Sequence, residues 1–347
     1  MTNAAAAEAE AEADTLQKVL LLGLEGVRPW HDQAGVEIVG IVDLYRQAGE
    51  PFAERLRDLL PLYPVFERIE DALALAQAKP DLAVVTVPNG AKNTIWAERA
   101  VMEAGIDLVI QKPRLASLED FEQLMQVQAS SQATCYIGEH YRCDARVRTV
   151  KEALRQGRIG QVEYVYYECR RPLIPSPWME SYRHLALEDL ALHHFSVLQH
   201  LIGLDVTEVY AHSSRPSWLE GESRTMASVL AGTRQGYKLT YSTAWGTWGE
   251  PTDYFGHFRL DGARGTISVE GQTVTCYSSS GVKQELPLLE SRSWIELLLE
   301  ARTATPFHPD SLDTPYPTLT SFEPIIRTIY ASLTSADVAV RREEKRG

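Results

Sequence analysis

The chain has 347 residues, 44% of them apolar, enough for two domains with real cores. Its net charge of −13 and pI near 5.2 argue against a nucleic-acid or anionic-membrane surface, because phosphates are bound with clustered Lys and Arg. No pair among Cys135, Cys143, Cys169 and Cys276 has metal-type spacing, and no apolar run approaches roughly 18 residues. We therefore expect reduced thiols, no metal, no membrane span, a cytoplasmic location and a small-molecule partner.

Residues 1–15, opening MTNAAAAEAEAEAD, are acidic and Ala/Glu-rich, without the positive start and apolar centre of a signal peptide, and read as a tail. Lys18 to Leu24 (KVLLLGL) is an apolar strand running into Gly23 and Gly26. Val36 to Leu44 (VEIVGIVDL) is a second, ending at Asp43. Helical spacing follows over 53–60, then a short strand over 63–66 and a helix over 70–76. Asp81 to Pro88 (DLAVVTVP) predicts a strand, 94–104 a helix closed by Gly105, and 107–110 a strand that delivers Gln111, Lys112 and Pro113. A helix over 118–127 and a strand over 134–141 complete the first half. Strands alternating with helices at this spacing predict a Rossmann-like, doubly wound parallel sheet over 16–138, every strand's carboxyl end on one rim.

Gly23, Gly26, Asp43, Arg46, Pro88, Asn89, Gln111 and Lys112 fall on that rim. A glycine after the first strand and an acid after the second, 20 residues apart, are parts of a dinucleotide site: close backbone approach to diphosphate, and a carboxylate on the ribose hydroxyls. Asp43 would repel a 2′-phosphate, so NAD is expected over NADP, with Arg46 able to soften that preference. Asp43 also suits a helix N-cap, and Lys112 also suits a solvated strand end. The glycine pattern is broken: Glu25 and Arg28 stand where a G-x-G-x-x-G run begun at Gly23 needs glycines. Glu25 places a negative charge where diphosphate oxygens approach, and Arg28 is close enough in sequence to offset it. Twelve residues, including Pro29, separate Gly23 from Val36, so the crossover helix is very short and the phosphate end of the site is rebuilt or lost.

The second half changes character. A helix is predicted over 145–156. Gln161 to Arg171 (QVEYVYYECRR) alternates like an antiparallel strand, and further strands follow over 206–212, 224–231, 237–244, 255–261, 265–270 and 274–278. A last helix spans 321–335. We expect an α+β domain over 139–347, with a large, mainly antiparallel sheet covered by helices on one face and open on the other to a second subunit. Leu187 to Leu201 (LEDLALHHFSVLQHL) is helical. Asp189 and His193 lie four apart there, near enough for the carboxylate to orient the imidazole; a helix-surface pair is the plain alternative. Tyr141, Arg142, Arg170, Arg171, Trp178, Tyr182 and Arg183 are candidate substrate contacts, equally able to serve packing or surface. Arg and aromatic groups together suit a sugar, cyclitol or carboxylated polyol.

With Gln111-Lys112-Pro113, Asp189-Leu190-Ala191-Leu192-His193 and LDGARGTISVEG in this order, the chain resembles the glucose-fructose oxidoreductase, inositol dehydrogenase and MocA (Gfo/Idh/MocA) family of oxidoreductases from about Lys18 to Val340. The family's E-K-P stands as Gln111-Lys112-Pro113, preceded by PNGAKNTIWAERAVMEAGIDLVI, and its D-x-G-x-H as Asp189 to His193. The resemblance implies that Lys112 lies by the nicotinamide and a substrate hydroxyl, and that His193, with Asp189, takes the proton as hydride leaves carbon for NAD. It implies a homodimer or homotetramer. Gln111 replaces Glu, Ala191 replaces Gly, Ser196 stands for a second Asp, Lys92 for a His, and the dinucleotide glycines are mostly gone, so the catalytic side is better kept than the cofactor side. An acid/base enzyme without net redox chemistry, with no cofactor, and a non-catalytic binding subunit are the alternatives.

Overall fold

In the computed structural model, residues 16–44, 56–74, 79–87, 94–110, 117–172, 176–303, 312 and 316–344 are described, with side chains to 339. Internal contacts divide the chain into two units, 1–138 with 317–320, and 139–316 with 321–347. No described helix is long and apolar enough to cross a membrane.

Runs such as Leu82 to Val85, buried throughout, need cover on both faces, and a parallel sheet between helices supplies it. The first unit holds β1 (Gln17–Leu22), α1 (Val27–His31), β2 (Val36–Val42), β3 (Val65–Phe66), α2 (Ile69–Leu73), β4 (Leu82–Val85), α3 (Ile95–Glu103), β5 (Asp107–Ile110), α4 (Leu118–Ser130) and β6 (Cys135–Ile137). Its sheet runs β3-β2-β1-β4-β5-β6, every pair parallel. The chain moves outward one way from β1 through β2 and the other way from β4, so the order reverses at β1, where open α/β sheets bind their ligands. Two predictions are corrected. Of the helix expected over 53–60, the described part is a turn leading to a 3-10 segment at Leu60–Leu62, where Pro61 supplies no donor. The strand expected over 134–141 is only β6, because Gly138 donates back to Ile110 and the chain then enters a 3-10 turn at Tyr141–Cys143.

The second unit holds α5 (Ala145–Arg155), β7 (Val162–Arg171), α6 (Ala191–Ile202), β8 (Val206–Ser214), β9 (Met226–Thr233), β10 (Lys238–Trp245), β11 (His257–Gly262), β12 (Gly265–Glu270), β13 (Thr273–Ser278), β14 (Lys283–Leu286), α7 (Trp294–Thr303) and α8 (Leu319–Glu344, whose first residues count with the first unit). The sheet order is β14-β13-β12-β11-β7-β10-β9-β8. It is antiparallel except at its centre, where β7 lies parallel to β10, a correction to the wholly antiparallel setting expected for β7. β14 and α7 were not anticipated: Lys283 to Leu286 is polar and short, and α7 buries only a narrow apolar side.

Alternation decides the two faces of this sheet. Tyr167 and Tyr241 point to the covered face, where Tyr167 stacks on His194 at 4.5 Å and Tyr241 meets Phe195 edge-on at 5.0 Å, joining the sheet to α6. On the other face Tyr166, Tyr210 and Leu230 are about half exposed among ion pairs such as Lys238 with Glu208.

Candidate active site

At the rim of the first sheet, Gly23 follows β1 with φ of +114°, and a Cβ there would lie 2.4 Å from the carbonyl oxygen of Thr86. Glycine is therefore required. Its N–H donates to Val42, the Thr86 hydroxyl donates to its carbonyl, and the Glu25 N–H donates to the Thr86 carbonyl, tying the β1 turn to the ends of β2 and β4. Gly26 caps α1, which is five residues long and contains Pro29. Asp43 follows β2 directly, its N–H on the carbonyl of Phe66. Arg28, expected to offset Glu25, instead reaches both carboxylate oxygens of Asp58, at 3.0 and 3.2 Å. Arg46, Pro88, Asn89, Gln111 and Lys112 lie outside the described residues; Lys112 comes two residues after the end of β5.

In the second unit, His193 sits one turn into α6 with its side chain 13% exposed. Its Nδ1 lies 2.7 Å from Oε2 of Glu139, a residue absent from the sequence expectations. Glu139 is 1% exposed and accepts the Tyr141 backbone N–H on its other oxygen at 3.0 Å. The Tyr141 ring stacks on His193, centroids 4.8 Å apart and planes 26° apart. Burial pushes the Glu139 carboxyl upward, but the charge and hydrogen bond of His193, the charge of His140 and the Tyr141 N–H outweigh it and hold the group below its ordinary value. Burial raises the Tyr141 phenol, and nearby carboxylates add to the shift, so it stays a neutral ring.

The pairing of Asp189 with His193 through one helical turn is corrected at Nδ1, where Glu139 is the carboxylate. Ala186–Leu190 is a π-turn joined to α6 at Ala191, so the register of Asp189 to His193 crosses a change from i+5 to i+4 bonding. Asp189 itself is buried at 6% exposure within that turn. The neighbouring His194 is wholly buried. Its Nε2 donates to the Tyr254 carbonyl and its Nδ1 accepts the Tyr241 hydroxyl, both at 2.9 Å, and burial holds it neutral with a pKa pulled down to about 3.

Four other candidate substrate contacts have these protein neighbours. Arg142 is buried and donates to His200 Nδ1, two turns of α6 beyond His193. Arg170 points to the open face of the sheet, opposite to Cys169, and pairs with Glu168 at 3.1 Å. Trp178 packs on a buried cluster that includes Met179, Tyr182 and Trp245. Arg183 pairs with Asp337 of α8 at 3.0 Å. A signal for Glu139 was present in the sequence: an acid beside His140 and Tyr141, directly after an apolar strand. Its pairing spans 54 residues, which local spacing does not reveal. Glu139, His140 and His193 also offer ligand atoms within 4.8 Å of one another.

Two family descriptions match this chain: an oxidoreductase family with an NAD-binding Rossmann fold over residues 20–139, and the GFO/IDH/MocA C-terminal domain over 147–268. D-apiose dehydrogenase of Paraburkholderia graminis is 23% identical over 283 residues, 80% of this chain and 72% of that protein. Inositol 2-dehydrogenase of Rhizobium meliloti is 24% identical over 243 residues, 69% of each. The WlbA dehydrogenase of Bordetella pertussis, solved with NADH and UDP-GlcNAcA, superposes with a TM-score of 0.71 at 19% identity, covering 93% of this chain and 97% of that one.

Proposed function

Because this chain belongs to the GFO/IDH/MocA family of oxidoreductases, we propose that it is an NAD-dependent dehydrogenase acting on a secondary alcohol or ketone of a sugar, cyclitol or related polyol. Support comes from the sheet order β3-β2-β1-β4-β5-β6, with a glycine-only turn at Gly23 after β1, where the order reverses, and a carboxylate at Asp43 after the adjacent β2. Asp43, directly after β2, suits ribose hydroxyls and opposes a 2′-phosphate, so it fits NAD at its ribose end. The names of the curated relatives, an apiose and an inositol dehydrogenase, support the polyol class.

When bound, the nicotinamide supplies the hydride acceptor. We assign Lys112 to polarise the substrate hydroxyl, His193 to take its proton, and the buried Asp189 to the same acid/base set. We also place a subunit contact, as homodimer or homotetramer, on the open face of the second sheet, where Tyr166, Tyr210 and Leu230 are exposed.

A second reading, acid/base catalysis without net redox change, is favoured by Glu25 and by the five-residue α1 at the diphosphate end. One pair of measurements separates the two. If the redox proposal holds, millimolar NAD(H) raises the melting temperature, and polyol turnover generates absorbance of reduced nicotinamide that Lys112→Ala abolishes. Turnover of a polyol with no nicotinamide present would reject it in favour of the second.

A further inference from the structure

Two adjacent histidines of α6 are held by different partners. His194 faces a carbonyl through Nε2, and a carbonyl only accepts, so its proton is on Nε2 and its Nδ1 accepts from Tyr241. His193 faces a carboxylate through Nδ1 at 2.7 Å. Glu139 accepts the Tyr141 N–H on one oxygen and turns the other to Nδ1, so the carboxylate acts as acceptor and the ring nitrogen as donor. Both of its oxygens are engaged, one by His193 and one by the Tyr141 N–H. Turning the imidazole over would take Nδ1 away from Glu139 and break that hydrogen bond.

We propose that Glu139 is a positioning residue for the reaction: it keeps the His193 proton on Nδ1 and thereby leaves the Nε2 lone pair as the atom that exchanges a proton with substrate. This rests on the assignment of His193 as proton acceptor and adds the atom and its cause. The same logic makes the amide variant informative. Glutamine has one carbonyl oxygen for two N–H donors. If the Tyr141 N–H keeps that oxygen, the side-chain NH2 faces Nδ1, which must then accept, and the proton moves to Nε2.

The test uses full-length protein labelled with ¹⁵N-histidine, read by NMR at about two pH units above the ordinary imidazole value, where neutral rings dominate. In the wild type His193 is expected as the Nδ1–H tautomer beside His194 as Nε2–H. In Glu139→Gln, His193 should invert to Nε2–H while His194 stays unchanged, which reports an intact fold. With a turned-over substrate, kcat should fall on the order of 10²-fold or more while the NAD(H) dissociation constant stays within about twofold. An Nε2–H tautomer of His193 in the wild type, or one unmoved by Glu139→Gln, would overturn the inference. So would one equivalent of zinc retained by wild type and lost by Glu139→Gln, since an ion would then stand between carboxylate and imidazole. The tautomer is read without turnover, so an inverted ring in a protein inert toward NAD leaves this inference standing and removes the redox assignment alone.

Discussion

The rim of the parallel sheet and the His193 cluster are built by opposite means. Around Gly23 the constraint is backbone: a positive φ, a carbonyl that excludes any Cβ, and main-chain hydrogen bonds joining three strands. Around His193 the constraint is side chains, an anion, a ring stack and a neighbour of fixed protonation, gathered from positions 139, 141, 193 and 194. A backbone turn tolerates exchange of the residues around it, which is how Glu25 and the Arg28–Asp58 pair can occupy the phosphate end without disturbing β1. A buried polar cluster has no such tolerance, because each member satisfies another.

Removal of the imidazole should break the comparison most sharply. His193→Asn is expected to lower kcat by about 10²- to 10⁴-fold with little change in cofactor affinity, measured by steady-state kinetics beside NAD titration. A variant retaining most of its kcat would take the proton transfer away from the cluster. Next, Gly23→Ala should cost at least about 2 kcal/mol in denaturant unfolding and weaken NAD(H) binding, because strained φ and a contact with Thr86 oppose the methyl group. A neutral result would mean that the turn is not backbone-constrained.

Protonation of His194 sharpens the same contrast. Its folded pKa of about 3 lies below the unfolded value of 6.5, so its contribution is fully present above pH 6.5 and is lost as pH falls toward 3. Stability should decline over that window by up to about 1.4 kcal/mol per pH unit from this group, and His194→Gln should flatten the slope. Chemical denaturation at stepped pH reads it, and an unchanged slope would contradict the buried neutral ring. The smallest effect belongs to the rim. Arg28 and Asp58 are 50% and 63% exposed, so Arg28→Ala should leave the unfolding midpoint nearly unchanged. A larger loss by the same method would show that the short α1 depends on that pair.

Most strands were readable from the sequence because their apolar runs and alternation are local. β4 and β5 could be recognised by their apolar runs, and β10 by period two. The candidate substrate contacts could not be sorted from the sequence for the converse reason. Arg170 and Arg171 are equally plausible as text, yet pleating sends Arg170 to the open face, while Arg171 lies over the Tyr254 ring at 4.2 Å. Likewise, the spacing of Asp189 and His193 suggests a pair, but a π-turn intervenes and Glu139 arrives at Nδ1 from the end of another strand.

From residue order alone came the two-part architecture, the parallel and antiparallel sheets, the family, and the broken glycine pattern after β1. These depend on periodicity, charge and nearest-neighbour sterics, which act over a few residues. Folding alone decided that β7 runs parallel to β10 and which carboxylate meets which histidine. Such pairings arise when segments tens of residues apart exclude water from a shared space, and a buried ring nitrogen must then take whatever partner the packing brings.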